Sequence, residues 1–171
     1  MESRDYGESG LTVQAAMLDQ YQRFPDKGGR PGYILWNGLK VKTADCIPVP
    51  RDGQVEAELI SAKTDVEQGL DMKINGWIQL MDRRVDTLRT WYDPNLEPVV
   101  RYPLHSRDGF LWVWNVYKMK RPGGITSEEK WTGNAGFWVQ EVSERERVYH
   151  CSHGMAETPD FECLTFEVRI F

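Results

Sequence analysis

The chain lacks the long apolar runs and charge blocks that mark several classes of protein. Its 171 residues hold no run of about 18 apolar residues, the length that a transmembrane helix needs. The start, MESRDYGESG, has no basic segment followed by an apolar one, so no secretory signal peptide is predicted. The 21 Lys and Arg are scattered among 26 Asp and Glu, which leaves no basic tail for free nucleic acid. We therefore expect a soluble, intracellular, cytoplasmic protein.

Cysteine and catalytic signatures are also scarce. Cys46, Cys151 and Cys163 cannot all pair within one chain, and none belongs to a Cys-x-x-Cys motif, so a reducing compartment fits better than a disulfide scaffold. The sequence has no glycine-rich phosphate loop, Gly-x-Ser-x-Gly, His-Glu-x-x-His or Rossmann fingerprint. The common nucleotide, hydrolase and metalloprotease chemistries lose their support, and we expect no cofactor.

The sequence offers one group of potential metal ligands, formed by His150, Cys151, His153 and Cys163. Zinc sites use Cys and His, but usually with two to four residues between the ligands of a pair. Alternation along a strand would also send His150 to the opposite face from Cys151 and His153. We therefore expect a strand with a buried thiol and edge histidines, and no metal.

Two segments show the apolar spacing of a helix. Between residues 11 and 24 an apolar stripe recurs at steps of four, four and three until Pro25 ends it. At Thr64 a capping box, in which the Glu67 carboxylate would reach back to the threonine amide, precedes a second stripe. We predict a long amphipathic helix over about residues 65–82. Its apolar face would be Val66, Leu70, Ile74, Trp77, Ile78 and Met81.

The rest of the chain has the patterns of strands. Asn37-Gly38 between two β-prone runs predicts a hairpin with a type I′ turn. The proline-rich residues 93–103 predict an irregular crossing. Strands are predicted at 54–60, 85–92, 109–117, 131–142, 147–153 and 161–171. The resulting fold is α+β: an antiparallel meander with the long helix and a short N-terminal helix packed on it. Residues 1–10 would form a flexible arm and residues 11–171 a single domain.

His105 is the candidate for proton transfer, because it precedes the aromatic strand on a segment that could open onto a pocket. General acid–base chemistry needs a group of near-neutral pKa with an orienting partner. Asp108, or Glu141 from a neighbouring strand, could serve as that partner. A loop histidine that is merely solvated is the simpler interpretation.

The chain has seven tryptophans, an unusual load. Trp112 and Trp114 share one face of a predicted strand, and Trp138 comes from a candidate neighbour. The three could line an apolar ligand cavity or anchor a partner protein. A bulky core is the alternative, because small domains bury aromatic rings for their area alone.

Basic residues end two of the predicted elements. Lys118, Lys120 and Arg121 end the aromatic strand, and Arg83 and Arg84 end the predicted helix. If the two ends point the same way, these side chains form a spot suited to anionic lipid or a phosphate backbone. The alternative is that they are simply solvated.

The run VEAELISAKTDVEQGLDMKINGWIQLMDRR is a predicted strand that leads by a capped turn into the predicted helix, followed by a proline-rich crossing and long strands. In size and element order the region 54–120 resembles the matrix proteins of plant-infecting rhabdoviruses. The chain departs from them in being acidic and in lacking a Pro-Pro-x-Tyr motif. The resemblance implies a virion protein that condenses a nucleocapsid and bridges it to membrane and glycoprotein, with Lys118, Lys120 and Arg121 as candidate contacts.

The sequence leaves three hypotheses about function. The first is a non-enzymatic structural or assembly protein, which self-associates and acts through protein, ribonucleoprotein or anionic membrane contacts. The second is a small-molecule-binding or lyase/isomerase-type domain, in which Trp112, Trp114 and Trp138 line a cavity and His105 moves a proton. The third is a small regulator that mimics a charged partner.

Overall fold

The computed structural model describes residues 4–171 as a mostly antiparallel β protein. Strands take up 55% of the chain and helix 8%, so the predicted α+β class is wrong. Within these residues one α-helix, α1, spans Val13–Arg23, and none is long and apolar enough to cross a membrane. The strands are β1 (Ile34–Trp36), β2 (Leu39–Lys42), β3 (Asp45–Pro48), β4 (Asp52–Ala62), β5 (Gln68–Leu80), β6 (Arg83–Trp91), β7 (Val99–Lys120), β8 (Thr126–Glu129), β9 (Gly136–Ser143), β10 (Glu146–Ser152) and β11 (Leu164–Ile170).

The long amphipathic helix predicted over residues 65–82 does not form. Its first residues belong to a loop, and most of the remainder is strand β5. The helical interpretation failed because Leu70, Ile74 and Ile78 are four residues apart, and an even spacing also puts side chains on one face of a strand. All three are buried in the core from β5. Apolar spacing alone therefore could not separate the two structures.

The glycines of β5 show why a strand is favoured there. A Cβ on Gly69 would overlap the carbonyl oxygen of Thr90, and one on Gly76 would overlap that of His105. Gly76 also has a φ of 150° and lies where the register between β5 and β7 shifts. Both glycines allow neighbouring backbones to approach closely, which is a use that a helix does not require.

Local signals elsewhere were accurate. The predicted N-terminal helix is confirmed, and the Thr12 hydroxyl caps it by accepting a hydrogen bond from the Ala15 amide at 3.1 Å. The predicted hairpin is confirmed as well, with φ of 49° at Asn37 and 80° at Gly38. The predicted crossing over 93–103 is only partly irregular, because β7 begins at Val99.

Strand β7, with 22 residues, is the centre of the fold. One of its edges pairs in turn with β4, β3 and β8, and the other pairs with β5. From β4 the hydrogen-bonded order continues through β11, β10 and β9 to β2 and β1. Only residues 43–44 separate β2 from β3, so the path of strands returns to β7 and encloses a barrel-like interior. Beyond β5, strand β6 is the last strand in the order.

The interior of this barrel is filled by side chains. Tyr149 packs between Phe166, whose ring is stacked at 4.8 Å, and Phe137, whose ring meets it edge-on at 5.3 Å. Aliphatic residues from β4, β5, β7 and β11 complete the core. Each such side chain contributes about 1.5–3 kcal/mol when it is fully buried. The core therefore holds the strands together without leaving a central channel.

A second, smaller core lies between α1 and the β1–β2 hairpin. It contains Tyr6, which is fully buried and donates its amide to the Leu35 carbonyl at 2.8 Å. The Asp5 carboxylate accepts the amides of Asn37 and Gly38, both at 2.9 Å. Residues 4–10 of the expected flexible arm thus include specific contacts, and Met1–Ser3 lie outside the described residues.

A buried carboxylate marks the point where β2 passes into β3. Asp45 is 1% exposed and accepts hydrogen bonds from Lys42 at 3.0 Å, Arg147 at 2.8 Å and the Tyr149 hydroxyl at 2.7 Å. Burial raises the pKa of Asp45, but these three donors outweigh it, and the net effect lowers the pKa below its ordinary value. Burial raises the pKa of Tyr149 well above its ordinary value, and the neighbouring Asp45 adds to this. The ionised Asp45 carboxylate therefore links β3 to β10.

We expect Gly76→Ala to lower the free energy of unfolding by at least about 2 kcal/mol, because the new methyl group meets a backbone carbonyl at a φ that side chains avoid. Gly32→Ala is the matched control, since a Cβ there meets nothing within 4 Å. Urea unfolding followed by circular dichroism measures both variants. Equal midpoints for the two would contradict the assigned contact between β5 and β7.

We expect Asp45→Asn to lower the free energy of unfolding at pH 7 by about 3 kcal/mol, because Arg147 and Lys42 lose a buried counter-charge. A carboxyl with a lowered folded pKa stabilises the protein above its unfolded pKa of about 3.9, and this contribution disappears as the pH falls further. The wild type should therefore lose stability below about pH 4 more steeply than the variant. Asp82→Asn, at an exposed turn, should leave the acid profile unchanged.

Candidate functional site

A groove lies beside α1, bordered by the segment 30–33 and by the link between β2 and β3. Its volume is about 420 Å³, which is in the usual range for a ligand site. Among the described residues Arg30 is the only charged one in its lining, although the chain has 26 acidic residues. We call it the α1 groove, and it is lined by Gln14, Met17, Leu18, Gln20, Tyr21, Arg30, Pro31, Gly32, Tyr33, Thr43, Ala44 and Trp131.

The sequence of α1 divides its side chains between core and groove. Val13, Ala16 and Gln20 follow helical spacing and are buried. Leu18 and Tyr21 project beside that stripe, and each is 59% exposed. The helix α1 therefore leaves two large apolar side chains on a face that is open to solvent beside the groove.

A cation lies against each aromatic ring of the groove. The Arg30 guanidinium lies 3.3 Å from the centre of the Tyr21 ring, and Lys40 lies 4.9 Å from that of Tyr33. Lys130 lies 4.5 Å from the ring centre of Trp131. Within residues 4–171 none of these three cations forms an ion pair with a carboxylate. The groove is therefore apolar with a positively charged rim.

The floor of the groove contains an amide with an unused acceptor. Gln20 is 3% exposed, and its Nε2 donates to the Tyr33 carbonyl at 2.7 Å. Its Oε1 is fully buried and has no hydrogen-bond partner among the described residues. An unpaired buried acceptor costs about 1–3 kcal/mol. Because the oxygen is enclosed, this is a local cost to the fold and the oxygen is not presented to the groove.

An aromatic ridge continues the groove across the protein surface. The ring of Trp131 packs 5.2 Å from that of Trp114, and Phe110 and Trp112 follow on the same face of β7, each 43% exposed. We define the ridge as Phe110, Trp112, Trp114 and Trp131. The indole of Trp114 donates to Asp71 at 2.9 Å.

Trp114 is held rigidly because its acceptor is itself fixed. Arg89 binds both carboxylate oxygens of Asp71, at 2.7 and 2.8 Å, in a bidentate pair. Arg89 also donates to Glu128 at 2.9 Å. Trp114, the ridge residue that contacts Trp131 of the groove, is therefore held by a hydrogen-bond network that links β5, β6 and β8.

The structure does not bring the three tryptophans of the predicted cavity together. Trp112 and Trp114 belong to the ridge, whereas Trp138 lies on β9 and stacks on His150 with a ring separation of 4.1 Å. Trp131, which the cavity prediction did not include, is the ring that joins Trp114 to the α1 groove.

His105 has a carboxylate partner, but not one of the predicted two. Its Nδ1 lies 2.6 Å from Asp52, and its ring stacks on Trp77 at 5.6 Å. Asp108 instead accepts the Ser106 hydroxyl at 3.1 Å. Glu141 lies on β9, which three strands separate from β7 in the hydrogen-bonded order. The five main cavities within residues 4–171 are lined by residues other than His105 and Asp52. Glu141 lines one of them, of about 620 Å³, beside Arg145 and Arg147.

The basic residues do not form one spot. Arg83 and Arg84 pair with the last two residues of β5. Lys118 lies at the other end of β5, because it follows Tyr117, which pairs with Gln68, the first residue of that strand. The length of β5, 13 residues, separates the two groups. Lys118 is paired with Glu67 at 2.8 Å and Arg121 with Glu129 at 2.7 Å, and Lys120 is exposed.

The candidate metal ligands are engaged separately. Cys151 is fully buried in the core, and burial raises its pKa well above the ordinary value. The Nδ1 atom of buried His153 accepts the Met155 amide at 3.1 Å, and burial lowers the pKa of its ring. Burial also raises the pKa of Cys163. Among residues 4–171 no group of three or more His, Cys, Asp or Glu side chains is arranged to hold a metal ion.

The sequence did not reveal the groove residues as a set. Lys130 is far from Arg30 and Lys40 in the chain, and only the folding of the strands brings it to the same groove. One signal was present: Leu18 lies beside the apolar stripe of α1, which made that helix apolar over more than one face.

No family model, curated protein or solved structure matches the chain. The resemblance to rhabdovirus matrix proteins depended on a strand followed by a capped helix, and residues 65–82 do not provide that order. What the α1 groove binds must therefore be inferred from its own chemistry.

We expect the native thiols to react slowly with a disulfide reagent such as 5,5′-dithiobis(2-nitrobenzoate), because thiolates are the reactive form and burial raises the pKa of all three cysteines. Cys46, the least buried, should react first, and Cys151 and Cys163 only on unfolding. Cys46→Ser should remove the native reaction. Rapid modification of two or three thiols in the folded protein would contradict the assigned burial.

Proposed function

We propose that this protein is a non-catalytic interaction module, which binds an acidic segment of a partner protein through an apolar anchor in the α1 groove. One observation carries the proposal: a cation lies against each of three aromatic rings around an apolar groove, and within residues 4–171 no acidic residue lines that groove. The expected action through protein contacts is retained. Nucleocapsid and membrane contacts are not part of the proposal, because the basic residues assigned to them are paired or lie apart.

The apolar lining supports an anchoring side chain. A groove of about 420 Å³ can receive one or two large side chains of a partner. Burying one large apolar side chain contributes about 1.5–3 kcal/mol, and Tyr, Trp and Arg dominate the energetics of most protein interfaces. The groove offers all three residue types, in Tyr21, Trp131 and Arg30.

The charges support acidic residues beside that anchor. The chain carries a net charge of −5, so an acidic partner would be repelled on average and needs a local positive region. Arg30, Lys40 and Lys130 supply one around the groove. Exposed ion pairs contribute only about 0.2–1 kcal/mol each, so these cations mainly determine which partner binds and how fast it associates.

A peptide segment is favoured over a small molecule because the apolar surface continues beyond the groove. Trp131 belongs to both the groove and the ridge, so an extended chain could contact both. A small molecule would use the groove alone.

Selection of peptides from a random display library should enrich sequences with an aromatic or aliphatic anchor flanked by Glu or Asp. Anisotropy titration should then show that Tyr21→Ser weakens a selected peptide about tenfold, because the ring both packs and holds Arg30. Lys130→Glu should weaken it and also reduce the dependence on salt. Lys120→Glu, the same charge change at an exposed site away from the groove, should have little effect.

Three results would count against the proposal. The first is enrichment of peptides without acidic residues, and the second is unchanged binding by Tyr21→Ser. The third is binding of indole-3-acetate, a small anionic aromatic, as tight as that of the best peptide, since this would assign the groove to a small ligand. A Lys-flanked version of the selected peptide serves as the charge-reversed control.

A further inference from the structure

A second cavity lies on the other side of the fold, under the loop between β6 and β7. Its volume is about 500 Å³. Core residues Leu59 and Leu70 form its inner wall, and Ile60 and Leu96 are exposed apolar residues that line it. We call it the loop cavity. Its lining is completed by Ala57, Thr90, Trp91, Tyr92, Asp93, Pro94, Glu97, Pro98 and Val100.

The loop that covers this cavity is held in place at both ends. The Tyr92 amide donates to the Gln68 carbonyl at 2.7 Å, and the Leu59 amide donates to the Pro98 carbonyl at 2.9 Å. Between them the Asp93 carboxylate accepts the Asn95 amide at 2.9 Å, and the Asp93 carbonyl accepts the Leu96 amide at 3.1 Å. The cavity is therefore built by ordered backbone and is already formed without a ligand.

The charged groups of the loop cavity are of one sign. Among residues 4–171, Asp93 and Glu97 are the only charged residues that line it. Within the described residues neither carboxylate forms an ion pair. The nearest cations at Trp91 are Arg89 and Lys118, and both are already paired with carboxylates.

We propose that the loop cavity binds an amphiphile with an apolar tail and a cationic head, such as a long-chain amine or a quaternary ammonium. The tail would enter along Leu59 and Leu70, where it replaces water against core side chains. The head would lie near Asp93 and Glu97, with the ring of Tyr92 in the same wall, since aromatic rings attract quaternary ammonium groups. The ring of Trp91 already lies against Lys118 and Arg89 and contributes apolar area only. An anionic head, as in a fatty acid, would be repelled. This binding does not depend on the α1 groove, so an experiment can refute one proposed site without refuting the other.

The test compares ligands of one tail length below their micelle concentrations. Isothermal titration with dodecyltrimethylammonium should show saturable binding of one molecule per chain, about tenfold tighter than dodecanoate. Displacement of the neutral probe N-phenyl-1-naphthylamine should give the same order. Peptides selected for the α1 groove should not compete.

Variants separate tail binding from head selection. Glu97→Lys should reduce the preference for the cationic ligand about tenfold, whereas Glu8→Lys, the same charge change at an exposed distant site, should leave it unchanged. Ala57→Phe should fill the cavity and weaken both ligands. If Ala57→Phe does not fold, Leu96→Asp is the second test of tail binding, because it removes an exposed apolar side chain from the cavity lining.

Absence of saturable binding by either ligand would overturn the proposal. Equal affinity for dodecanoate, or an equal effect of Glu8→Lys and Glu97→Lys, would overturn the assignment of a cationic head.

Discussion

The pairing of β7 along both of its edges is the constraint on which the rest of the structure depends. Because β4 and β3 follow each other along one edge while β5 occupies the other, a single strand organises most of the sheet. The chain passes from β2 through residues 43–44 to β3, which pairs with β7, and this closes the strands around the core. The same path fixes the position of α1. The groove, the ridge and the loop cavity all lie where this arrangement leaves large side chains outside the filled interior.

Charge is used differently in different parts of the molecule. Asp45 is an internal tie, saturated by three donors and inaccessible to substrates. On the surface Arg169 contacts Glu56, Glu58, Glu146 and Glu167, which uses one cation to hold three strands together. By contrast, Lys40 and Lys130 beside the α1 groove rest on aromatic rings, and within residues 4–171 the acids of the loop cavity form no ion pair. Arg30 serves both purposes, because it lies on Tyr21 and also donates to the Phe24 carbonyl at the end of α1.

Local sequence signals identified the elements that local chemistry determines. The N-terminal helix and the Asn37-Gly38 turn need only their neighbours in the chain, and both were predicted, although the cap at Thr12 was not. Residues 65–82 were misassigned because their apolar spacing fits helix and strand alike, and the backbone contacts of Gly69 and Gly76 that resolve the choice come from β6 and β7. Apart from the extra apolar residue of α1, nothing in the sequence predicted the groove, because Tyr21 and Trp131 become neighbours only when the strands have paired.

The two ends of the strand order are protected from further strand addition by different means. At β1, Asp5 bridges to Leu35 and covers part of that edge with the chain's own backbone. At β6 the sequence RRVDTLRTW places several charged side chains along the last strand. Such charges discourage a second sheet from docking edge to edge, a common route to amyloid-like polymerisation. The chain is rich in strands and exposed aromatic rings. Because its two strand edges are protected, contacts with other molecules are left to its exposed side chains.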